Sequence, residues 1–482
     1  MSYGLFGIAR SALLTHQTAL QTISQNIANA ETPGYSRQEA VLSASTPVRL
    51  PNGIVGTGVQ VDTIIRKRNI MLDDTYRSAA GQSGEAQMRN GLLSQLEGVF
   101  GEPSDAGMSN ALDQFWGAWG DLAATPGNGA AQAVVQQRGR QVAQLFNSYD
   151  SQLTQQRTST IEQLSGKIAE INSYARQVAE LNGRILSAES GGDSANDLRD
   201  QRDLALDALS RLAGTRVIQQ GNGNVTVLIG NSTLVDSTSA RAVSMQLDIP
   251  VPPPAVTPSD IPIRLRLGDS PDRMPASGGE LKALVASVNT DIPELRRHLD
   301  AMAASLATAV NAAHTTGFVF TGNTIPGTAA GNFFDAGTVL NPVRASTLTL
   351  DAVIANDASK VATSGNANAP TDNATALALA ALRTTGGTVS YTSPGGVVET
   401  GSFLGFFRNT VTSLGISVKA AEDDASVYGT LAEQGDARRQ SVSGVSTDEE
   451  LVNMMRVQQS YTAATKLIKT ADEMLQTLLS MI

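Results

Sequence analysis

The chain has 482 residues, a formal net charge of −10 and no cysteine. The acidic balance argues against a nucleic acid partner, because phosphate binding needs clustered Lys and Arg side chains. The missing cysteines exclude disulfides, thiolate metal sites and cysteine nucleophiles. No stretch reaches the roughly 18 apolar residues that a membrane-spanning helix needs, and no basic segment followed by an apolar core marks a signal peptide. Membrane insertion is therefore not expected.

The first predicted element is an amphipathic helix that stops between Ala30 and Thr32. Pro33 disfavours the helical conformation of Thr32, and Gly34 permits a turn after it. Steps of three and four residues along this segment meet apolar side chains everywhere except at His16, which predicts one apolar stripe. This N-terminal seam consists of Phe6, Ala9, Leu13, Leu20, Ile23, Ile27 and Ala30.

An extended segment over residues 38–69 precedes a region of helical periodicity over residues 70–212. The longest helix is predicted over residues 130–190, where apolar residues repeat at helical spacing. Both tryptophans fall within residues 112–119, and core packing of a helix explains them better than a sugar or cofactor platform. The basic run over residues 66–68 is expected to be a solvated strand end or a charge contact between subunits.

Four aspartates over residues 193–203 invite comparison with a metal site. Their spacing lacks the glycine and the terminal glutamate of an EF-hand loop. Arg199 and Arg202 lie among them, so a salt-bridged helix start is the favoured interpretation. The chain also lacks a complete P-loop, a Gly-x-Ser-x-Gly motif, a His-Glu-x-x-His motif and a dinucleotide fingerprint. We therefore expect no catalytic, cofactor or metal site.

Alternation with a period of two predicts short strands over residues 215–249 and 263–267, separated by a proline-rich loop. A helix is predicted over residues 279–316. Its two histidines, His298 and His314, are too far apart to form a metal pair without a third ligand. Surface or capping roles are therefore expected for both.

Helical periodicity resumes at residue 402 and leads into a last helix predicted over residues 447–482. This helix begins with two overlapping capping boxes, at Ser446 and Thr447. Steps of three and four along it meet only apolar or aromatic side chains, which is the seam of a coiled coil. This C-terminal seam consists of Met454, Val457, Tyr461, Ala464, Ile468, Ala471, Leu475, Leu478 and Ile482.

Further apolar residues of the two terminal helices lie off these seams. They make the apolar surface wider than one partner helix covers, so we expect contacts with other subunits or with another apolar partner. An ordinary helical hairpin within one subunit fits the seams alone equally well. The off-seam residues are Leu5, Ile8, Leu14, Leu451, Met455, Leu467, Met474 and Leu479.

The predicted fold is mainly α with a β-rich insertion, and the nested order of elements brings both chain ends to one pole. The helix over residues 279–316 packs either on the shaft or on the insertion. Three domains are expected: a terminal coiled-coil inner domain of residues 1–36 and 446–482, a helical shaft of residues 37–213 and 402–445 with an N-terminal hairpin segment, and an outer β-rich insertion of residues 214–401.

Residues 26–37 read Asn-Ile-Ala-Asn-Ala-Glu-Thr-Pro-Gly-Tyr-Ser-Arg and resemble the N-terminal signature of bacterial flagellar axial proteins, the rod, hook and hook-associated proteins. The C-terminal helix resembles the matching end of these proteins. Interior segments at residues 115–116 and 196–203 resemble the hook-associated protein 1 family of hook–filament junction proteins. The signature positions are Asn29, Thr32, Pro33, Gly34 and Tyr35.

The resemblance implies a structural subunit rather than an enzyme, located in the extracellular flagellum and exported through the flagellar type III apparatus without a cleaved signal peptide. It implies a helical tube of identical copies, with the hook protein and a second hook–filament junction protein as partners. A cytoplasmic export chaperone is expected on the C-terminal helix. Alternatives are another axial protein, such as a hook or distal rod subunit, or an extracellular coiled-coil adhesin. The assembly contacts are expected at Phe6, Leu13, Leu20, Ile23, Ile27, Met454, Val457, Tyr461, Ile468, Leu475, Leu478 and Ile482.

Overall fold

The structure is a computed structural model. It describes residues 2–50, 53–192, 194–221, 223–249, 261–270, 272–320, 322, 324–338, 341–385 and 387–480. Most of the proline-rich loop, the aspartate at position 193, the side chain of Leu478 and all of Ile482 lie outside this description.

The two ends of the chain form helices that pack against each other, α1 (Ser2–Ala28) and α11 (Thr447–Ser480). We call them the terminal pair. An antiparallel ribbon of β1 (Gln38–Ala44) and β4 (Val59–Arg66) lies along α1. The connection between these two strands carries a small hairpin of two three-residue strands, β2 (Val48–Leu50) and β3 (Gly53–Val55).

Five helices make up the next part of the molecule. The longest has 61 residues, which is roughly 90 Å at 1.5 Å per residue. Asn128 caps it by accepting hydrogen bonds from the Ala130 and Ala131 amides at 2.9 and 3.3 Å. The prediction of one long helix over residues 130–190 is confirmed. These helices are α2 (Ile70–Phe100), α3 (Met108–Ala124), α4 (Gly129–Glu189), α5 (Asn196–Ala213) and α10 (Phe403–Ser443).

The middle of the chain holds short strands and helices. A four-stranded antiparallel sheet has the order β5-β6-β7-β8, and β9 pairs with β10. The predicted helix over residues 279–316 consists of two α-helices joined by a π-helical turn over Ser287–Asp291. The strands of this first part are β5 (Thr215–Gln219), β6 (Val225–Ile229), β7 (Ser232–Asp236), β8 (Ser239–Ala240), β9 (Val243–Leu247) and β10 (Ile263–Leu267).

Shorter elements follow up to the start of α10. The two helices around the π-helical turn are α6 (Gly279–Ala286) and α7 (Ile292–His314). After α7 come β11 (Phe318–Val319), β12 (Thr328–Ala329), α8 (Ala352–Asn356), a 3-10 turn (Ala358–Lys360), α9 (Ala374–Ala381), β13 (Thr388–Thr392) and β14 (Val398–Ser402).

Two large hydrophobic cores divide the described residues. The first is aromatic and joins α3, the first half of α4, α7 and the start of α10, with Phe115 and Trp119 fully buried against Phe333. The predicted core role of the tryptophan segment is therefore confirmed. The second core joins the later half of α4 with α5, α6 and strands β6 to β10. Because both cores mix residues from the predicted shaft and insertion, that division remains a prediction.

The two histidines of α7 do not have the surface or capping roles expected from the sequence. His314 is fully buried, with Nδ1 2.7 Å from the Gly331 carbonyl and Nε2 accepting from the Ala362 amide at 3.0 Å. Burial lowers the pKa of His314, so the ring is neutral and donates through Nδ1. His298 packs edge-on against Tyr391, with ring centroids 4.5 Å apart, and burial lowers its pKa too. Both rings tie α7 to the segments that follow it.

Candidate assembly interface

The terminal pair is antiparallel, since the end of α1 lies beside the start of α11. Asn26 Nδ2 donates to Glu450 Oε2 at 3.0 Å, and both side chains are buried. On α11 the predicted seam faces α1, with Ala464 and Ala471 fully buried. The other described members are partly buried: Met454, Val457, Tyr461, Ile468 and Leu475.

On α1 the fully buried positions differ from most of the predicted seam. They are small or polar, namely Ala9, Thr15, Ala19, Thr22 and Asn26. The ribbon explains the offset, because α1 packs against it as well as against α11 and only small side chains fit between close backbones. The larger members of the predicted N-terminal seam are only partly buried: Phe6, Leu13, Leu20, Ile23 and Ile27.

Large apolar side chains of the terminal pair face solvent in the single chain. Most off-seam residues of the sequence analysis are exposed, whereas Leu5 and Ile8 are partly buried. Val452, which the sequence analysis did not single out, is 60% exposed. A contiguous apolar surface of this kind, left uncovered by the rest of the chain, marks an interaction site. The exposed residues are Leu14, Leu451, Val452, Met455, Leu467, Met474 and Leu479.

A buried polar network joins the terminal pair to the rest of the chain. Asn26 Oδ1 accepts from the Tyr35 hydroxyl at 2.9 Å and from the Gln38 amide at 3.0 Å. Arg37 Nε donates to Glu450 Oε1 at 2.8 Å, and the Arg37 amide donates to the Ser443 carbonyl. The network fixes the register of the two helices, as a buried asparagine does in a coiled coil.

The signature residues form the turn between α1 and the ribbon. Thr32 donates through its hydroxyl to Asn29 Oδ1 at 3.2 Å, and its carbonyl accepts from the Tyr35 amide. Gly34 has φ +79°, a left-handed conformation that glycine adopts without strain. A methyl group there would also overlap the side chain of Leu204 on α5. The turn therefore seats the end of α1 directly on α5.

Beneath this turn lies a cluster of ion pairs, which we define as Arg66, Arg68, Arg77, Asp200 and Asp203. Arg66 Nη1 is 2.6 Å from Asp200 Oδ1 and 2.9 Å from Asp203 Oδ2, while Arg68 and Arg77 contact Asp203 at 3.0 and 3.1 Å. All five side chains are largely buried. The cluster ties the ribbon and α2 to α5.

The cluster corrects one expectation from the sequence and changes the partners in another. Arg66 and Arg68 are largely buried and paired within the chain, and only Lys67 of that run is partly exposed, where it pairs with Glu39. The expected salt-bridged start of α5 is present, but its aspartates do not pair with the arginines inside the helix. Arg199 pairs with Glu189 at 2.6 Å, and Arg202 donates to Asn182 at 2.9 Å. Asp200 and Asp203 form ion pairs with arginines that are distant in sequence, and the local spacing of charges does not predict such pairs.

Electrostatics keep the cluster charged. Burial by itself would raise the pKa of Asp203, but the guanidinium groups of Arg68, Arg77 and Arg66 lower it to about 2. Burial, with Asp197 and Asp200 nearby, raises the pKa of Tyr35, whose hydroxyl therefore stays protonated as a donor. Both carboxylates of the cluster form ion pairs with arginines. Among the described residues, no group of three His, Asp or Glu side chains is placed to bind a metal ion.

Comparison with known proteins identifies the family of this chain. A model described as "Flagellar hook-associated protein FlgK helical domain" matches residues 93–334. Flagellar hook-associated protein 1 of Bacillus subtilis is 30% identical over 506 aligned positions, covering 97% of this chain and 96% of the relative. The chain belongs to the flagellar hook-associated protein 1 family. Relatives of the same name in Escherichia coli and Salmonella typhimurium are 23% and 28% identical, over 99% and 66% of this chain.

A solved structure shares the fold. The flagellar hook junction protein FlgK from Burkholderia pseudomallei aligns with a TM-score of 0.64 at 17% identity, over 77% of this chain and 100% of that one. The mainly α fold with small sheets is therefore confirmed. No helix in the described part of the chain is both long and apolar enough to cross a membrane.

Two further family models match the chain ends and decide between the alternatives. "Flagella basal body rod protein" covers residues 6–35, which is α1 and its turn, and "Flagellar basal body rod FlgEFG protein C-terminal" covers residues 438–481. The models at the two ends are named for rod proteins, whereas the model over residues 93–334 is named for the helical domain of a hook-associated protein. The family is a structural component of the flagellum, which favours the junction protein over a rod subunit, a hook subunit or an adhesin.

Proposed function

We propose that the chain builds the junction between hook and filament by stacking identical copies through the terminal pair. The observation that carries this proposal is the row of solvent-facing apolar side chains on α11, beside a seam that α1 covers only in part. Burying a side chain such as Leu479 or Met474 against a neighbour stabilises the contact by about 1.5–3 kcal/mol. A contact that joins different surfaces of identical copies and does not close into a ring generates a helical assembly.

Family membership supports, as part of the same proposal, the partners and the export route that the sequence led us to expect. The hook protein and a second hook–filament junction protein are the neighbours at either end, and export proceeds through the flagellar type III apparatus. A cytoplasmic chaperone covers the exposed apolar surface of α11 before export. In the assembled tube, residues 1–36 and 446–482 form the inner layer, residues 37–213 and 402–445 the shaft, and residues 214–401 the outer layer. The protein performs no catalysis.

A double substitution tests the assembly role. Ile468→Asp with Leu475→Asp places two charges on the seam, and we expect loss of the chain from purified flagella and loss of swimming. The matched control is Gln459→Asp with Thr470→Asp, which adds the same charge to exposed positions of α11 and should swim. Circular dichroism of both purified variants checks that the two cores are intact. Normal swimming by the seam variant would contradict the proposal.

A further inference from the structure

The small hairpin of β2 and β3 presents uncovered apolar residues. Val48, Ile54 and Val55 are 51%, 71% and 48% exposed. Among the described elements, each of the two strands makes an extended contact only with the other. An isolated two-stranded hairpin is at best marginally stable in water. The hairpin therefore gains order once another surface covers it.

A groove elsewhere on the chain has matching properties. It has a volume of about 970 Å³ and lies between the start of α2 and the later part of α10. Its wall includes Ile70, Met71 and Leu431, which are 52%, 76% and 44% exposed. Side chains of this kind are seldom left uncovered side by side on a monomer.

The hairpin of the same chain is too far away to fill this groove. The groove begins at Ile70, next to the ion-pair cluster, whereas the hairpin continues from the opposite end of the ribbon. The eight residues of β4 between them span roughly 23 Å at 3.3 Å per residue. The packing of the ribbon along α1 gives a similar distance. Gly58, at the hairpin end of the ribbon, lies against Ile8, and the Gln38 amide, at the other end, donates to Asn26. Ile8 and Asn26 are roughly 27 Å apart along the helix. A second copy can bring the two surfaces together.

One charge pair also fits this arrangement. Arg49 is exposed on β2, and the wall of the groove carries two exposed charges of opposite sign, Asp74 and Arg438. We propose that the hairpin of one copy occupies the α2–α10 groove of a second copy, with Arg49 facing Asp74. The contact rests on the proposed function, since it forms within the tube that the terminal pair builds. It links the ribbon of one subunit to the shaft of the next.

The absence of cysteine from the chain makes cross-linking a clean test. Ile54→Cys and Met71→Cys are introduced together, flagella are purified and mildly oxidised, and the chain is followed on a non-reducing gel. We expect dimers and higher ladders from the double variant and monomer from either single variant. The matched control combines Ile54→Cys with Ile416→Cys, an exposed position of α10 outside the groove, and should give monomer.

The outcomes separate the two proposals. If the double variant enters flagella without forming dimers, or if the control pair links equally well, the hairpin contact is wrong while the assembly proposal stands. Absence of the unsubstituted chain from flagella would refute the assembly proposal itself. Charge reversal provides a second measurement: Arg49→Asp or Asp74→Arg alone should lower filament retention under shear about threefold, and the two together should restore it. Failure of that rescue also counts against the contact.

Discussion

Asp203 receives arginines from two different segments of the chain. Its two carboxylate oxygens contact Arg77 of α2, Arg66 of the ribbon and Arg68 just beyond it. Removing one partner of a buried ion pair leaves uncompensated charge and costs about 3–5 kcal/mol. The residue therefore matters more for attaching the terminal pair to α5 than an exposed aspartate does.

We predict that Asp203→Asn lowers the free energy of unfolding by about 3 kcal/mol at pH 7. The pKa of Asp203 in the folded chain is about 2, below its unfolded value of roughly 3.9. The stabilisation is therefore complete above pH 4 and is lost as the pH falls through 2. Urea unfolding measured from pH 7 to pH 2 should show the difference between the two proteins shrinking in that acidic window. Asp105→Asn, at an exposed position, is the control and should have no effect; an equal loss in both variants would refute the prediction.

Residue identity alone did not predict this cluster. The sequence shows aspartates and arginines interleaved in α5, and helical spacing makes neighbours within one helix the natural pairs. Arg66 and Asp203 are separated by 137 residues, so only the fold that brings the ribbon onto α5 makes them partners. The burial of His314 was not predicted either, because the residues that contact its ring, Gly331 and Ala362, lie in irregular segments distant in sequence.

Elements were more predictable than contacts, because periodicity reports burial on one face without naming what covers it. The described members of the predicted α11 seam are buried or partly buried, in keeping with packing against one helix, α1, while their role in assembly stays a prediction. The buried face of α1 is largely offset from its predicted seam, because two neighbours share this helix. A turn after α1 was expected from Pro33 and Gly34, but the left-handed conformation of Gly34 and its contact with Leu204 were not.

The turn allows a prediction at the level of this element. Gly34→Ala should destabilise the chain by more than the roughly 1–2 kcal/mol that a left-handed alanine costs, because its methyl group overlaps Leu204. Gly127→Ala is the matched control: Gly127 has φ +73° and open space around it. Urea unfolding compares the two variants. Adding Leu204→Ala to Gly34→Ala should recover part of the loss, and no difference between the two glycine variants would contradict the role of Leu204.

The whole molecule combines two well-filled cores with a terminal pair whose outer surface is apolar and uncovered. Helix α4 contributes buried residues along its length to both cores, whereas most residues of α11 are exposed. Local opening is easiest where few apolar contacts hold an element. Within the pair, the buried contact between Asn26 and Glu450 lies at the end of α11 that follows α10. Protection of the pair should therefore decrease away from that contact, towards Ser480.

We predict that the free chain shows this gradient in amide hydrogen exchange. Amides near the C-terminal end of α11 should exchange at least roughly 100-fold faster than those of α4, with intermediate values near Glu450. In purified flagella the same α11 amides should become as protected as α4, because neighbouring copies cover the apolar surface that the single chain leaves open. Asn26→Ala should abolish the intermediate protection near Glu450 in the free chain and leave α4 unchanged. Slow and uniform exchange along α11 in the dilute wild-type chain would mean that the helix is already stably packed within one copy. That result would contradict the proposal that uncovered apolar surface drives assembly.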